Sequence, residues 1–351
     1  MNGLSLFSSA GIGELHLNRL GINIKVSNEL IKRRAELYQK IHKNTEIIQG
    51  DITHNKIYEE IISRAKKNKI DFILATPPCQ GFSLIGKNKN LEQMQKDKRN
   101  YLLNYVVSSI KELNPKYILI ENVPRFLNMY FKHGKQFLQP TEFLIKELGD
   151  KYEIVENIFN SNDFNVPQDR KRALIRLYKK GLTWKDPVSS KARTTLRDAI
   201  GHLPSIESGE HSNIPWHYGR VHSESHIKAM QQTPEGKSAF EFNNILKSEN
   251  GKIPKGFKTT YARMEWDKPC PTITMRNDAI SSQRNVHPGR KLKNGKYSDA
   301  RVLSIKELFL LTGLGNSFTL PKDTPEILIR QVIGEAVPPK LIHAVCKGIF
   351  Q

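Results

Sequence analysis

From residue 1 to about 180, short apolar or β-branched runs alternate with stretches in which apolar residues recur every three or four positions. The runs are Leu4–Phe7, Ile22–Ser27, Ile47–Gln49, Phe72–Ala75, Tyr117–Ile120 and Ile154–Phe159, and they predict strands. Between them, Glu14–Leu20, Leu30–Ile41, Tyr58–Ala65 and Tyr101–Leu113 carry helical spacing. Such alternation predicts an α/β domain whose mostly parallel sheet is covered by helices on both faces. After Trp184-Lys-Asp-Pro187 the character changes. Gly, Pro, Ser, His and Asn become frequent and long periodic segments rare, which predicts a second, less regular domain over residues 186–327. Ile329–Phe350 resumes a helical pattern, interrupted at Pro338-Pro339. No internal repeat or low-complexity tract breaks the scheme.

The run Phe72–Ala75 leads into Thr76-Pro-Pro-Cys-Gln-Gly-Phe-Ser83. Proline fixes φ and restricts its predecessor, so the strand stops abruptly and presents Cys79 at its carboxyl end. In an open α/β sheet, ligands bind at that end. A free cysteine is most often a small buried hydrophobe. Reactivity needs an accessible, electropositive setting, and the polar stretch that follows has the look of an exposed loop. Local pattern leaves both readings open. Residues 81–99 combine Gly, Asn, Lys and Arg with little apolar content, the composition of a closing lid.

A second site candidate lies nearer the start. Leu4–Phe7, the loop Ser8–Gly13 and a helix from Glu14 would form a strand–loop–helix turn whose backbone amides approach a polar ligand. A nicotinamide dinucleotide loop would need glycine at position 16, where this chain has His16. Acidic residues follow the next two strands, Glu29 and Asp51. Each can hydrogen-bond a nucleoside or simply cap a helix.

Charge and cysteine content narrow the partners. Fifty-five Lys and Arg against 35 Asp and Glu give a formal charge of +20, which suits a polyanion. The three cysteines form no metal-type pair and no disulfide framework, as expected of a reducing compartment, and no metal is expected. The apolar stretches fall short of a membrane span and the first residues lack the pattern of a signal peptide, so no membrane partner and a cytoplasmic location are expected.

Pro-Cys79-Gln-Gly-Phe-Ser resembles the nucleophile motif of the DNA cytosine-5 methyltransferases, and further elements of that family follow in order. Phe7-Ser-Ser-Ala-Gly-Ile-Gly13 resembles its cofactor loop, Asn28-Glu29 and Asp51-Ile52 its ribose and adenine ligands, and Glu121-Asn122-Val123 its Glu-Asn-Val motif. Gln168-Asp-Arg-Lys-Arg172 is similar to its Gln-x-Arg-x-Arg motif. Arg301-Val-Leu-Ser304 with Glu307 is similar to the segment before its last motif, here Gly334-Glu-Ala-Val337. The resemblance spans the chain except about residues 205–260. It implies an S-adenosylmethionine-dependent, Rossmann-like large domain over residues 1–185, completed by 328–351, and a small target-recognition domain over 186–327.

The same resemblance implies the site. Cys79 would add to carbon 6 of cytosine, Glu121 would serve ring nitrogen 3, Arg172 would hold the carbonyl oxygen at position 2, and Arg170 would support the loop or thiolate. Phe7, Ser8, Gly11, Gly13, Glu29, Asp51, Ile52, Pro78, Leu102, Glu335 and Val337 would surround S-adenosylmethionine. Two of these positions depart from the family, which usually has Gly in place of Ser9 and Asn in place of Glu335. A base inside a duplex must be flipped out to meet a thiol. Gln80, Ser83, Arg99, Arg263, Arg276 and Arg284 are the expected contacts to double-stranded DNA.

The resemblance further implies a monomer that modifies host DNA in a restriction–modification system, beside a nuclease of the same specificity. A transfer RNA cytosine-5 methyltransferase shares the catalytic motifs, but its usual Cys-Phe-Thr run is absent here. A non-catalytic DNA-binding relative would be expected to lack Cys79 or Glu121, and both are present.

Overall fold

The computed structural model describes residues 1–78, 101–190, 192–241 and 257–351. They fall into two compact units, one of Met1–Asn160, Lys171–Val188 and Leu341–Gln351, the other of Ser161–Arg170 and Ser189–Lys340.

The first unit is built on a seven-stranded sheet of β1 (Asn2–Leu6), β2 (Asn23–Glu29), β3 (Glu46–Gln49), β4 (Phe72–Ala75), β5 (Tyr117–Asn122), β6 (Tyr152–Asn160) and β7 (Lys171–Lys179), in the order β3-β2-β1-β4-β5-β7-β6. The first five pair in parallel, and β7 runs antiparallel to both β5 and β6. This is a mostly parallel, α/β Rossmann-like sheet, as the alternation of runs predicts. Among the described residues, four helices, α1 (Lys32–Ile41), α2 (Asn55–Lys67), α3 (Leu102–Leu113) and α4 (Pro140–Leu148), lie between the strands in the chain. Helix α3 shows why they pack: Leu102, Leu103, Val106, Val107 and Ile110 recur at helical spacing and are all buried. They join Leu4, Leu6, Ile73, Ile118 and Ile120 of the strands in one apolar cluster. The last eleven residues return to this unit, where Trp184 donates its indole N–H to the Val345 carbonyl at 2.8 Å.

Two local expectations are corrected. The stretch Glu14–Leu20 is not an α-helix but two short 3₁₀ turns, Ile12–Glu14 and Leu17–Leu20, the second closed by Gly21 at φ 72°. So few residues flanked by glycine cannot offset the cost of helix nucleation. Strand β7 was not among the six runs read as strands, because cations at positions 171, 172, 176 and 179 interrupt its apolar pattern.

The second unit has little regular structure. One apolar cluster among its described residues is formed by Ala229, Met230, Ala239, Tyr261, Ile280, Val286, Ala300 and Val302. Buried arginines add hydrogen bonds to backbone carbonyls of this unit. Arg301 grips both carboxylate oxygens of Glu307 at 2.8 and 2.9 Å and one oxygen of Asp299 at 2.9 Å. Arg330 donates to the Asn277 and Leu303 carbonyls and pairs with Glu326. These contacts, with those of Arg170 described below, explain why residues 161–170 and 328–340 pack in the second unit rather than with the sheet.

His287 lies inside this network, its Nδ1 accepting from the Gly289 amide at 3.0 Å. Burial outweighs the pull of Glu307 and lowers its pKa to about 4, against 6.5 in a free chain. The folded value is depressed, so the unfolded state takes up the proton first. The stability held by neutral His287 is full above about pH 6.5 and is lost as pH falls towards 4, by about 3 kcal/mol. Urea unfolding at pH 7 and 4.5 is expected to show this loss, and His287→Gln is expected to remove most of it.

Candidate active site at the carboxyl edge of the sheet

Because β1 to β5 are parallel, their carboxyl ends share one edge of the sheet. Phe7 follows β1, Glu29 ends β2, Asp51 follows β3, Thr76-Pro77-Pro78 follow β4, and Glu121-Asn122 end β5. Strand β7 is reversed, so its second residue, Arg172, arrives at the same edge. Leu174 lies opposite Glu121, and Arg172, two residues away, projects on the same face. Arg172 Nε sits 2.8 Å from Glu121 Oε1, and both side chains are nearly buried. One guanidinium Nη1 also donates to the Lys171 carbonyl at 2.7 Å, which fixes the fork.

The next residue ties this pair to the cysteine segment. Asn122 donates its side-chain amide to the Pro77 carbonyl at 3.0 Å, and its own oxygen accepts the Val123 amide. Thr76 donates its hydroxyl to the Phe7 carbonyl. Residues 76–78 are thereby held against both β1 and β5, directly before Cys79. Cys79, Gln80, Ser83 and Arg99 themselves, with the expected lid, lie outside the described residues.

The loop after β1 turns through three left-handed residues, Phe7 at φ 62°, Ser9 at φ 50° and Gly11 at φ 68°. Ser9 thus takes the conformation that the family's usual glycine would adopt freely. For Phe7 and Ser9 this costs about 1–2 kcal/mol each. Hydrogen bonds oppose the cost: Ser9 N–H donates to Glu29 Oε2 at 2.8 Å, Ser8 N–H to the Asn28 carbonyl, and Gly11 N–H to the Ser8 carbonyl. Glu29 Oε1 accepts the Ile31 amide at 2.8 Å, so this carboxylate does cap the turn into α1. Each of its oxygens retains a lone pair, however, so capping leaves it able to accept two ribose hydroxyls. Asp51 Oδ1 accepts from Thr53 N–H. Ile52 and Leu102 belong to one apolar cluster, and partly buried Phe7 packs against it. These residues fit a nucleoside-bearing methyl donor.

Other expected residues belong to the second unit. Arg170 does not continue β7. It is buried in the second unit, donating to the carbonyls of Ile273 at 2.7 Å and of Gly334 and Glu335 at 3.0 Å. Glu335 ends the helix Glu326–Glu335, and Val337 is buried two residues beyond it. Arg263, expected to contact DNA, is turned inward. Only 2% exposed, it donates to the carbonyls of Met230, His287, Ser298 and Asp299. Arg276 and Arg284 are exposed. No cluster of metal-ligating side chains occurs among the described residues. From the sequence, no part was expected of Thr76, Asn122 or Glu14. Hydrogen bonds to residues distant in the chain reveal them.

A family model described as C-5 cytosine-specific DNA methylase matches residues 1–351. The chain belongs to this family. Its members transfer a methyl group from S-adenosylmethionine to carbon 5 of cytosine. The chain is 52% identical to the Type II methyltransferase M1.HgaI of Avibacterium volantium, covering 99% of this chain and 98% of that one. It is 29% identical to the Type II methyltransferase M1.HphI of Haemophilus parahaemolyticus, over 99% and 86%. Among solved structures, the Entamoeba histolytica methyltransferase EhMeth has the same fold, with a TM-score of 0.67, 15% identity and coverage of 100% and 98%.

The burial of Arg263 separates it from Arg284. Arg263→Met is expected to lower unfolding stability by about 2–3 kcal/mol, since four carbonyls lose their donor, without changing DNA sequence preference. Arg284→Ala is expected to weaken DNA binding with an unchanged melting temperature. Relaxed specificity in a fully stable Arg263→Met protein would restore Arg263 as a reader.

Proposed function

We propose that this chain methylates carbon 5 of one cytosine, flipped from a specific duplex sequence, with Cys79 as the covalent nucleophile. The observation that carries the reading is the Glu121–Arg172 pair at 2.8 Å, bound through Asn122 to the backbone immediately before Cys79. Cytosine carbon 5 is a weak nucleophile until a thiolate adds at carbon 6 and makes it enamine-like. Cys79 forms that carbon–sulfur bond, and Glu121 shares a proton with ring nitrogen 3 as electron density moves into the ring. Arg172 holds both the Glu121 carboxylate and the base carbonyl with charge-assisted hydrogen bonds. S-adenosylmethionine supplies the methyl group. Water then takes the carbon 5 proton, the carbon 5–carbon 6 double bond re-forms and the carbon–sulfur bond breaks, which returns Cys79 as the thiolate.

Glu29 and Asp51 hold the donor's ribose and adenine, over Phe7, Ile52 and Leu102. Arg276 and Arg284 contact the duplex. The Type II name of the 52%-identical relative supports a role in protecting host DNA, beside a nuclease that cuts the same sequence. We further read the protein as a monomer that works in the cytoplasm. No helix among the described residues is long and apolar enough to cross a membrane.

Cys79→Ser is expected to abolish methyl transfer, since an alcohol at neutral pH is far less nucleophilic than a thiolate. DNA and donor binding should persist. A duplex with 5-fluorocytosine at the target is expected to trap the wild-type protein covalently, because fluorine cannot leave as a proton does. Adduct formation by Cys79→Ser would remove Cys79 from this role. Bisulfite sequencing of DNA from cells expressing the chain identifies the target.

With about six phosphates neutralised, raising salt from about 50 to about 200 mM is expected to weaken duplex binding roughly 10³-fold. A flat salt profile in equilibrium titrations, or preferred methylation of transfer RNA, would exclude duplex DNA as the substrate.

A further inference from the structure

Behind the loop Phe7–Gly13 lies a buried acid that the reaction does not use. Glu14 is 5% exposed, yet both its carboxylate oxygens have partners: Oε1 accepts from the Ser5 hydroxyl of β1, and Oε2 from the Tyr38 hydroxyl of α1 at 2.6 Å. Burial, and then the Glu14 carboxylate, push the Tyr38 hydroxyl well above its ordinary pKa, so it remains a donor. Directly after α1, at its C-cap, His42 stacks on the Tyr38 ring, with centroids 4.4 Å apart and planes at 29°. Its Nε2 donates to the Gly11 carbonyl at 3.0 Å. That carbonyl also accepts the Glu14 amide at 3.1 Å, so both its lone pairs are engaged. The packing is close: a Cβ on Gly11 would stand 2.4 Å from His42 Nε2 and 2.6 Å from the Tyr38 ring.

We propose that Tyr38 and His42 are positioning residues for methyl-donor binding, acting through Glu14 and the Gly11 carbonyl to hold the strained loop Phe7–Gly13 in its binding conformation. This inference rests on the reading of that loop as the donor site. Phe7, Ser9 and Gly11 all sit at positive φ, and two of them are not glycine. A loop of that kind persists only when its surroundings over-determine it. The Ser9–Glu29 bond fixes one side of the loop, and the Tyr38–Glu14 and His42–Gly11 bonds fix the other. Without the second set the loop samples other conformations, and donor affinity falls by the fraction of time it is misplaced.

The test uses the full chain and S-adenosylmethionine itself, with calorimetric Kd, KM, kcat and duplex Kd measured for each variant. Tyr38→Phe keeps the stacked ring and removes one hydroxyl, and His42→Ala removes the donor to Gly11. Each is expected to raise the Kd and KM for S-adenosylmethionine about 5- to 30-fold, the effect of one buried hydrogen bond. At saturating donor kcat should be nearly unchanged, and duplex affinity likewise. His42→Gln, whose amide can still donate to the carbonyl, is expected to regain most of the loss. Unchanged donor affinity in both Tyr38→Phe and His42→Ala would overturn the proposal. So would donor and duplex affinity falling together, with no rescue by His42→Gln. Glu29→Ala separates the two levels of the argument. If it weakens donor binding while the other two variants do not, the positioning role fails and the donor site stands. If Glu29→Ala also binds normally, the loop is not the donor's site and both readings fall.

Discussion

Strand direction is the constraint on which the candidate site depends. Five parallel strands must end at one edge, so Phe7, Glu29, Asp51, Pro78 and Glu121 arrive together although they are scattered over 115 residues. Arg172 joins them for the opposite reason. It stands near the beginning of β7, the one reversed strand, so its start meets the others' ends. Were β7 parallel, the same arginine would lie roughly 25 Å away, at the far end of a nine-residue strand. The ion pair with Glu121 is therefore a product of topology before it is one of chemistry.

The second unit solves a different problem with different means. With few ladders to satisfy its buried carbonyls, it uses arginine, whose rigid fork carries five donors. Arg170, Arg263, Arg301 and Arg330 each bind a backbone carbonyl far away in the chain. The charge has to be tolerated. Arg301 and Arg330 face Glu307, Asp299 and Glu326. Burial lowers Arg263 to about 10, which still leaves it protonated at neutral pH. Arginine in such a domain is thus as much a structural staple as a reader of nucleic acid. A strongly basic composition does not tell the two uses apart.

Residues two apart can also serve different units. Arg170 and Arg172 alternate along one motif, and regular alternation would place both side chains on one face. The chain instead pairs Gln168-Asp169 with Cys270-Pro271 before entering β7, so Arg170 binds Gly334 and Glu335 while Arg172 binds Glu121.

What the sequence determined by itself is local and ordered. The alternation of apolar runs, the proline stop before Cys79, the acids after the second and third strands and the Glu-Asn-Val segment were all legible, and with them the fold class and the family. These features depend on neighbours along the chain, where period and backbone restriction act. The tertiary structure decided the rest. It reversed β7, turned an expected helix into two 3₁₀ turns around the buried Glu14, and buried Arg263. The reason is the same in each case. A polar side chain has no periodic signature of its own, and whether it faces water, a carbonyl or an opposite charge is set by residues far away in the sequence.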